Sequence, residues 1–126
     1  MNGSCACGAV EFRVDPPVRP VIACHCDTCR KTSGHFWAAA SVPLEQFHLL
    51  RADGLAWFNA SARARRGFCN RCGSSLFWEP EDGDSISFAA GALDGPTGLK
   101  IECHWYMSQA ADYYTLGDGL PQLRTE

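Results

Sequence analysis

The chain has 126 residues, of which 46% are apolar and 20% charged, and a formal net charge of −3. This describes one globular domain, residues 1–126, with a modest core. The acidic balance weighs against a binder of nucleic-acid backbone, and no apolar run approaches the roughly 18 residues of a membrane helix.

Read in order, the chain opens on a cysteine pair, Cys5-Ala6-Cys7, with Gly8 supplying a permissive turn. Val10, Phe12 and Val14 alternate with Glu11 and Arg13, which predicts a half-buried strand, and Asp15-Pro16-Pro17 ends it. Residues 18–23 read as a second strand running into Cys24-His25-Cys26-Asp27-Thr28-Cys29. Arg30 to Gly34 predicts a polar turn containing one turn of helix. Residues 36–42 predict a buried strand, 43–47 a turn or short helix, and 48–51 a strand. Asp53-Gly54 predicts a hairpin into a strand at 55–59. Residues 61–66 read as a solvated edge strand with Arg63 and Arg65 on one face. The third cluster, Cys69-Asn70-Arg71-Cys72-Gly73, precedes strands at 74–78 and 85–90, joined through Asp82-Gly83. A break at Asp94-Gly95-Pro96 leads to a strand at 101–106, where alternation puts Cys103 and His104 on opposite faces. Asp118-Gly119-Leu120-Pro121 closes the chain with a turn. The count is about eight short strands with little helix, so the class is mainly β.

Seven of the eight cysteines fall in the three clusters. The N-terminus carries no basic start followed by an apolar run, so a reduced, cytoplasmic chain is expected and a disulfide framework is disfavoured. A dithiol redox protein would use one pair, Cys26 and Cys29 or Cys69 and Cys72. Ligand counting favours metal: four thiolates close a structural zinc site, and three leave a position open. Joining Cys5, Cys7, Cys69 and Cys72 would staple the N-terminus to the middle of the chain. Cys24, Cys26 and Cys29 would then hold a second zinc. The alternative is that His25, His35, His104 or Cys103 completes that second site and makes both structural.

Taken as an ordered set, Cys5-x-Cys7-Gly8, Cys24-His25-Cys26-x-x-Cys29-Arg30-Lys31 with Ser33-Gly34, Phe68-Cys69-x-x-Cys72-Gly73 and Asp118-Gly119-Leu120-Pro121 resemble the glutathione-dependent formaldehyde-activating enzyme family. The resemblance runs from residue 5 to 121. It implies β-tent-like antiparallel sheets stapled by a structural zinc, with Cys5, Cys7, Cys69 and Cys72 as its ligands. It also implies a second zinc at an active site of Cys24, Cys26 and Cys29. The implied activity is that of a carbon–sulfur lyase acting on glutathione adducts: formaldehyde and glutathione give S-hydroxymethylglutathione, or a related conjugate forms.

A zinc with three thiolates should favour a fourth. A small thiol, with a free pKa of about 8.5, would enter as thiolate and add to a small electrophilic carbonyl. Arg30, Lys31 or the Arg63, Arg65 and Arg66 group are the candidates to hold glutathione carboxylates, and His25 or His35 to move the proton. Two rival classes stand beside this reading: a non-catalytic zinc-binding protein-interaction module of the same fold, and a thiol redox protein.

Overall fold

The computed structural model describes residues 1–126. Its ten strands form two sheets. The smaller sheet has the order β1 (Asn2–Ser4), β2 (Val10–Val14), β5 (Phe47–Ala52). The larger contains β3 (Arg19–Cys24), β4 (Trp37–Pro43), β6 (Leu55–Phe58), β7 (Ala64–Cys69), β8 (Ser75–Pro80), β9 (Ser85–Ala89) and β10 (Ile101–Trp105), in the order β10-β3-β4-β9-β8-β7-β6. One helix, α1 (Asp27–Ser33), and three short 3-10 turns complete the chain. The class is mainly β, as expected from the sequence.

Two expectations are corrected. The sheets are not wholly antiparallel, because β10 pairs with β3 in parallel. Parallel neighbours need a long crossover, and the whole chain from β4 to β9 lies between these two. The polar stretch after the triple cluster is a seven-residue helix rather than a single turn. It starts early because Cys26 serves as its N-cap, its Sγ accepting from the Cys29 N–H at 3.4 Å. Cysteine lies outside the usual capping set of Ser, Thr, Asp and Asn, so the start signal is not read from sequence.

The core lies between the sheets. Val10, Phe12 and Val14 are buried on β2 while Glu11 and Arg13 point out. Phe12 packs edge-on against Phe77 of the large sheet, 5.2 Å between centroids, and 5.7 Å from Phe88. Val21, Ala40, Val42, Phe77, Ile86 and Phe88 supply the large sheet's side of that core. Each large apolar side chain buried there contributes roughly 1.5–3 kcal/mol.

Alternation then dictates the opposite face. Trp105, Cys24 and Trp37 are register partners across β10, β3 and β4. Arg66, Trp78 and Ser87 are partners across β7, β8 and β9. Ile22 pairs with Ala39 in the row beside Cys24. All of these side chains leave the core side of the sheet, and they floor a cleft of about 520 Å³.

Candidate functional site

Two backbone knuckles bring the flanking cysteine pairs together. In the first, the Cys5 N–H donates to Val10 O at 3.0 Å and the Val10 N–H donates to Cys5 Sγ at 3.3 Å. In the second, the Cys69 N–H donates to Ser74 O at 3.0 Å and the Arg71 N–H donates to Cys69 Sγ at 3.4 Å. Gly8 and Gly73 close the two turns at φ of 80° and 82°, where a side chain would be strained. The four sulfurs of Cys5, Cys7, Cys69 and Cys72 lie within 4.8 Å of one another.

The Cys5–Cys7 and Cys7–Cys69 sulfur separations are both 3.7 Å. Four thiolates around one ion at bonds of about 2.3 Å would stand about 3.8 Å apart along each tetrahedral edge. The donor set therefore fits a metal ion closely. Amide N–H groups aimed at the sulfurs favour their anionic form. The Ser74 hydroxyl and amide hold the Cys72 thiol well below its usual range, at about 5.

The triple cluster is built differently. Cys24 ends β3, Cys26 caps α1 and Cys29 sits buried in the first turn of α1, their sulfurs again within 4.8 Å. Hydrogen bonds from the Cys24 and Cys29 thiols, the Cys29 amide and the Arg66 charge hold Cys26 low, against the cost of burial. The Cys26 and Cys29 sulfurs and burial in turn push Cys24 far up. Three sulfurs in one another's field cannot all ionise without a cation among them. A soft divalent ion would resolve that conflict, so this donor set fits a metal as well. No histidine, carboxylate or further cysteine joins the cluster.

Arg66 supplies the positive charge. It is 7% exposed, donates from Nη2 to Cys29 Sγ at 3.3 Å, and lies 5.6 Å from the Trp37 ring centroid. Its Nε and Nη1 have no partner. Grouping the three arginines missed this division. Arg65 points away, paired with Glu79 at 2.8 Å and lying 3.8 Å over Trp57, while Arg63 stands at the cleft mouth. Arg63 and Arg65 therefore do not share a face. Neither Arg30 nor Lys31 lines the cleft.

The histidines face the other way. His25 follows Cys24, so alternation turns its ring to the opposite side of the sheet, where it is fully buried. A chain of hydrogen bonds joins the Tyr114 hydroxyl to His25 Nδ1 and His25 Nε2 to His104 Nδ1 at 2.9 Å, and His104 Nε2 donates to Asp118 at 2.7 Å. Burial first, then the neighbouring histidines, takes His25 down to about 4, so its ring is neutral near pH 7. Asp118 also accepts the Leu120 N–H at 3.0 Å, which explains the terminal Asp-Gly-Leu-Pro turn. His35 bonds the Tyr113 hydroxyl on the surface. Neither His25 nor His35 enters the cleft, and neither is placed to move a proton there. Cys103 lies beside Arg19 rather than with either cluster.

Comparison with known proteins agrees with this architecture. The family profile described as glutathione-dependent formaldehyde-activating enzyme matches residues 1–109. A Halomonas elongata protein provisionally named as such an enzyme is 33% identical over 75% of this chain and 66% of its own length. An uncharacterized lyase of Schizosaccharomyces pombe is 26% identical over 69% of this chain and 63% of its own. The chain thus spans a little under two thirds of these curated relatives. A crystal structure of a Rhodobacter sphaeroides protein superposes with a TM-score of 0.62 at 27% identity, covering 77% of this chain and 91% of the other. No helix here is long and apolar enough to cross a membrane. The chain belongs to the glutathione-dependent formaldehyde-activating enzyme family.

Proposed function

We propose that the protein is a zinc-dependent enzyme of the carbon–sulfur lyase type, joining a thiol, glutathione or a similar small thiol, to a small electrophilic carbonyl such as formaldehyde. In this reading Cys5, Cys7, Cys69 and Cys72 hold a structural zinc, and Cys24, Cys26 and Cys29 hold a second one at the active site. The observation that carries it is the triple cluster: three sulfurs converge at the floor of a cleft with no fourth protein ligand beside them. When bound there, zinc supplies Lewis acidity toward one further soft donor, which suits a thiol in its anionic form.

The chain's own groups do the rest. Arg66 balances the charge that gathers on the sulfurs. The Cys29 N–H orients Cys26. The indoles of Trp37, Trp78 and Trp105 line the floor beside the sulfurs. The reaction forms one C–S bond, and the thiol proton ends on the former carbonyl oxygen. Arg19, Arg63 and Arg66 are the cations that face a carboxylate-bearing thiol in the cleft.

The test is Cys26→Ser. Metal content should fall from two ions per chain to one, and turnover of formaldehyde with glutathione should stop, with thermal unfolding still cooperative. A variant that unfolds outright would make the triple cluster structural. One observation favours the rival reading as a protein-interaction module: Leu49 and Leu50 are 43% and 55% exposed on β5, an edge strand. Wild-type turnover decides between them.

A further inference from the structure

The cleft is far larger than formaldehyde requires. It holds about 520 Å³, within the range of sites that take drug-sized ligands. Its composition is also uneven. Three of the chain's four tryptophans line it, together with Ile22, Ala39 and Pro80. Trp57, the fourth, lies 6.2 Å from Phe77 and under Arg65 in the ordinary manner of a packed indole. Trp37, Trp78 and Trp105 stack on no other ring. The register places two of them directly beside a ligand candidate: Trp105 and Trp37 flank Cys24 on the neighbouring strands. Trp78 flanks Arg66, the residue that touches Cys29. The indoles thus surround the sulfurs themselves rather than a remote part of the hollow.

Charge adds a second constraint. Arg66, more than nine-tenths buried at the cleft floor, keeps Nε and Nη1 unpaired, and Arg19 keeps Nη1 unpaired. Arg19 lies 5.9 Å from the Trp105 ring and Arg66 5.6 Å from that of Trp37. The cations lie against indole faces, so the cleft presents aromatic surface backed by positive charge. A one-carbon aldehyde uses none of this. A flat aromatic ring gains from stacking on the indoles, and a carbonyl on that ring presents an oxygen to the unpaired guanidinium N–H groups.

We infer that the electrophile half of the adduct handled here carries a flat aromatic group, as in an aryl aldehyde, which the cleft indoles grip beside the triple-cysteine cluster. The inference rests on the thiol-adduct reading above for the reaction, but it concerns a different half of the adduct. Addition of a thiol to such an aldehyde balances as for formaldehyde: one C–S bond forms, the carbonyl π bond is lost, and the proton passes to oxygen.

Calorimetry on the full, metal-loaded chain tests it with benzaldehyde and acetaldehyde as probes, and with glutathione in a separate arm. Benzaldehyde should bind about tenfold tighter than acetaldehyde, equivalent to about 1.4 kcal/mol, and quench tryptophan fluorescence as it does so. Trp78→Ala should erase the preference for benzaldehyde over acetaldehyde. Trp78→Phe, which keeps a ring, should retain most of it and guards against a folding defect in the alanine variant. Equal binding of the two probes, or binding of neither, overturns the inference. The glutathione arm is read independently, so glutathione binding without an aryl preference would refute the aromatic group and spare the thiol reading.

Discussion

Gly54 offers a sharp test of the four-sulfur site. Its φ is not positive, so alanine is allowed there by backbone and only space opposes it. An added Cβ would stand 2.6 Å from Cys69 Sγ and 3.0 Å from Ala9 Cβ. Ordinary contact lies at about 3.5–4.0 Å, so the sulfur or the loop must move by about 1 Å. Neither moves freely. The Gly54 N–H donates to Ala9 O at 3.2 Å, and the Asn70 N–H donates to Gly54 O at 2.7 Å, so this residue bridges the two knuckles. Overpacking costs about 1–3 kcal/mol, and a site clamped from both sides belongs at the upper end. Gly54→Ala should therefore lower Tm by roughly 10 °C for a chain of this size. It should also speed metal loss from the site to a chelator. Thermal unfolding with and without chelator is the assay, and the gap between variant and wild type should narrow once metal is removed. A variant with wild-type Tm and two firmly held ions would show that the sulfurs are not arranged as described.

Other consequences follow from particular contacts. Arg66→Gln removes a charge-assisted hydrogen bond of about 1.5–3 kcal/mol, so metal at the triple cluster should bind some ten- to a hundredfold more weakly while the four-cysteine site is unchanged. Chelator competition would expose the error if both sites responded alike. His104→Ala leaves the buried His25 Nε2 without its hydrogen-bond partner, at a cost of about 1–3 kcal/mol, and Tyr114→Phe should cost less. Equal stability of His104→Ala and wild type in denaturant titrations would contradict the relay. Asp118 is held below its usual 3.8 by the Leu120 amide and then His104. A lowered carboxyl stabilises above its unfolded pKa and loses that effect as pH falls through the lower folded value. Carboxyl NMR should place its midpoint under 3.8, and a midpoint at or above that value would refute the contact.

Much of this was legible in the sequence because cysteine clusters and strand alternation are local signals. The clusters segregate into four and three, and Val10, Phe12 and Val14 face the core, as their spacing implies. What was not legible depends on which strands become neighbours. Arg63, Arg65 and Arg66 look alike in sequence, and only the pairing of Arg66 with Trp78 puts that one charge beside Cys29. The tryptophans are scattered along the chain, and register across five strands gathers three of them. Gly54 reads as a hairpin glycine, yet its small size matters because a sulfur sits against it. Tyr113 and Tyr114 lie in a stretch without periodic pattern, so their bonds to His35 and His25 left no local trace. The parallel docking of β10 on β3 is a long-range choice of the same kind.

The central claim is that the triple cluster, once loaded with metal, receives a thiol. Titrating glutathione into the metal-loaded chain in two buffers of different ionisation heat measures this directly. Saturable binding with release of a proton, lost in Cys26→Ser, is the predicted result. Absence of binding with two metal ions still in place would contradict it.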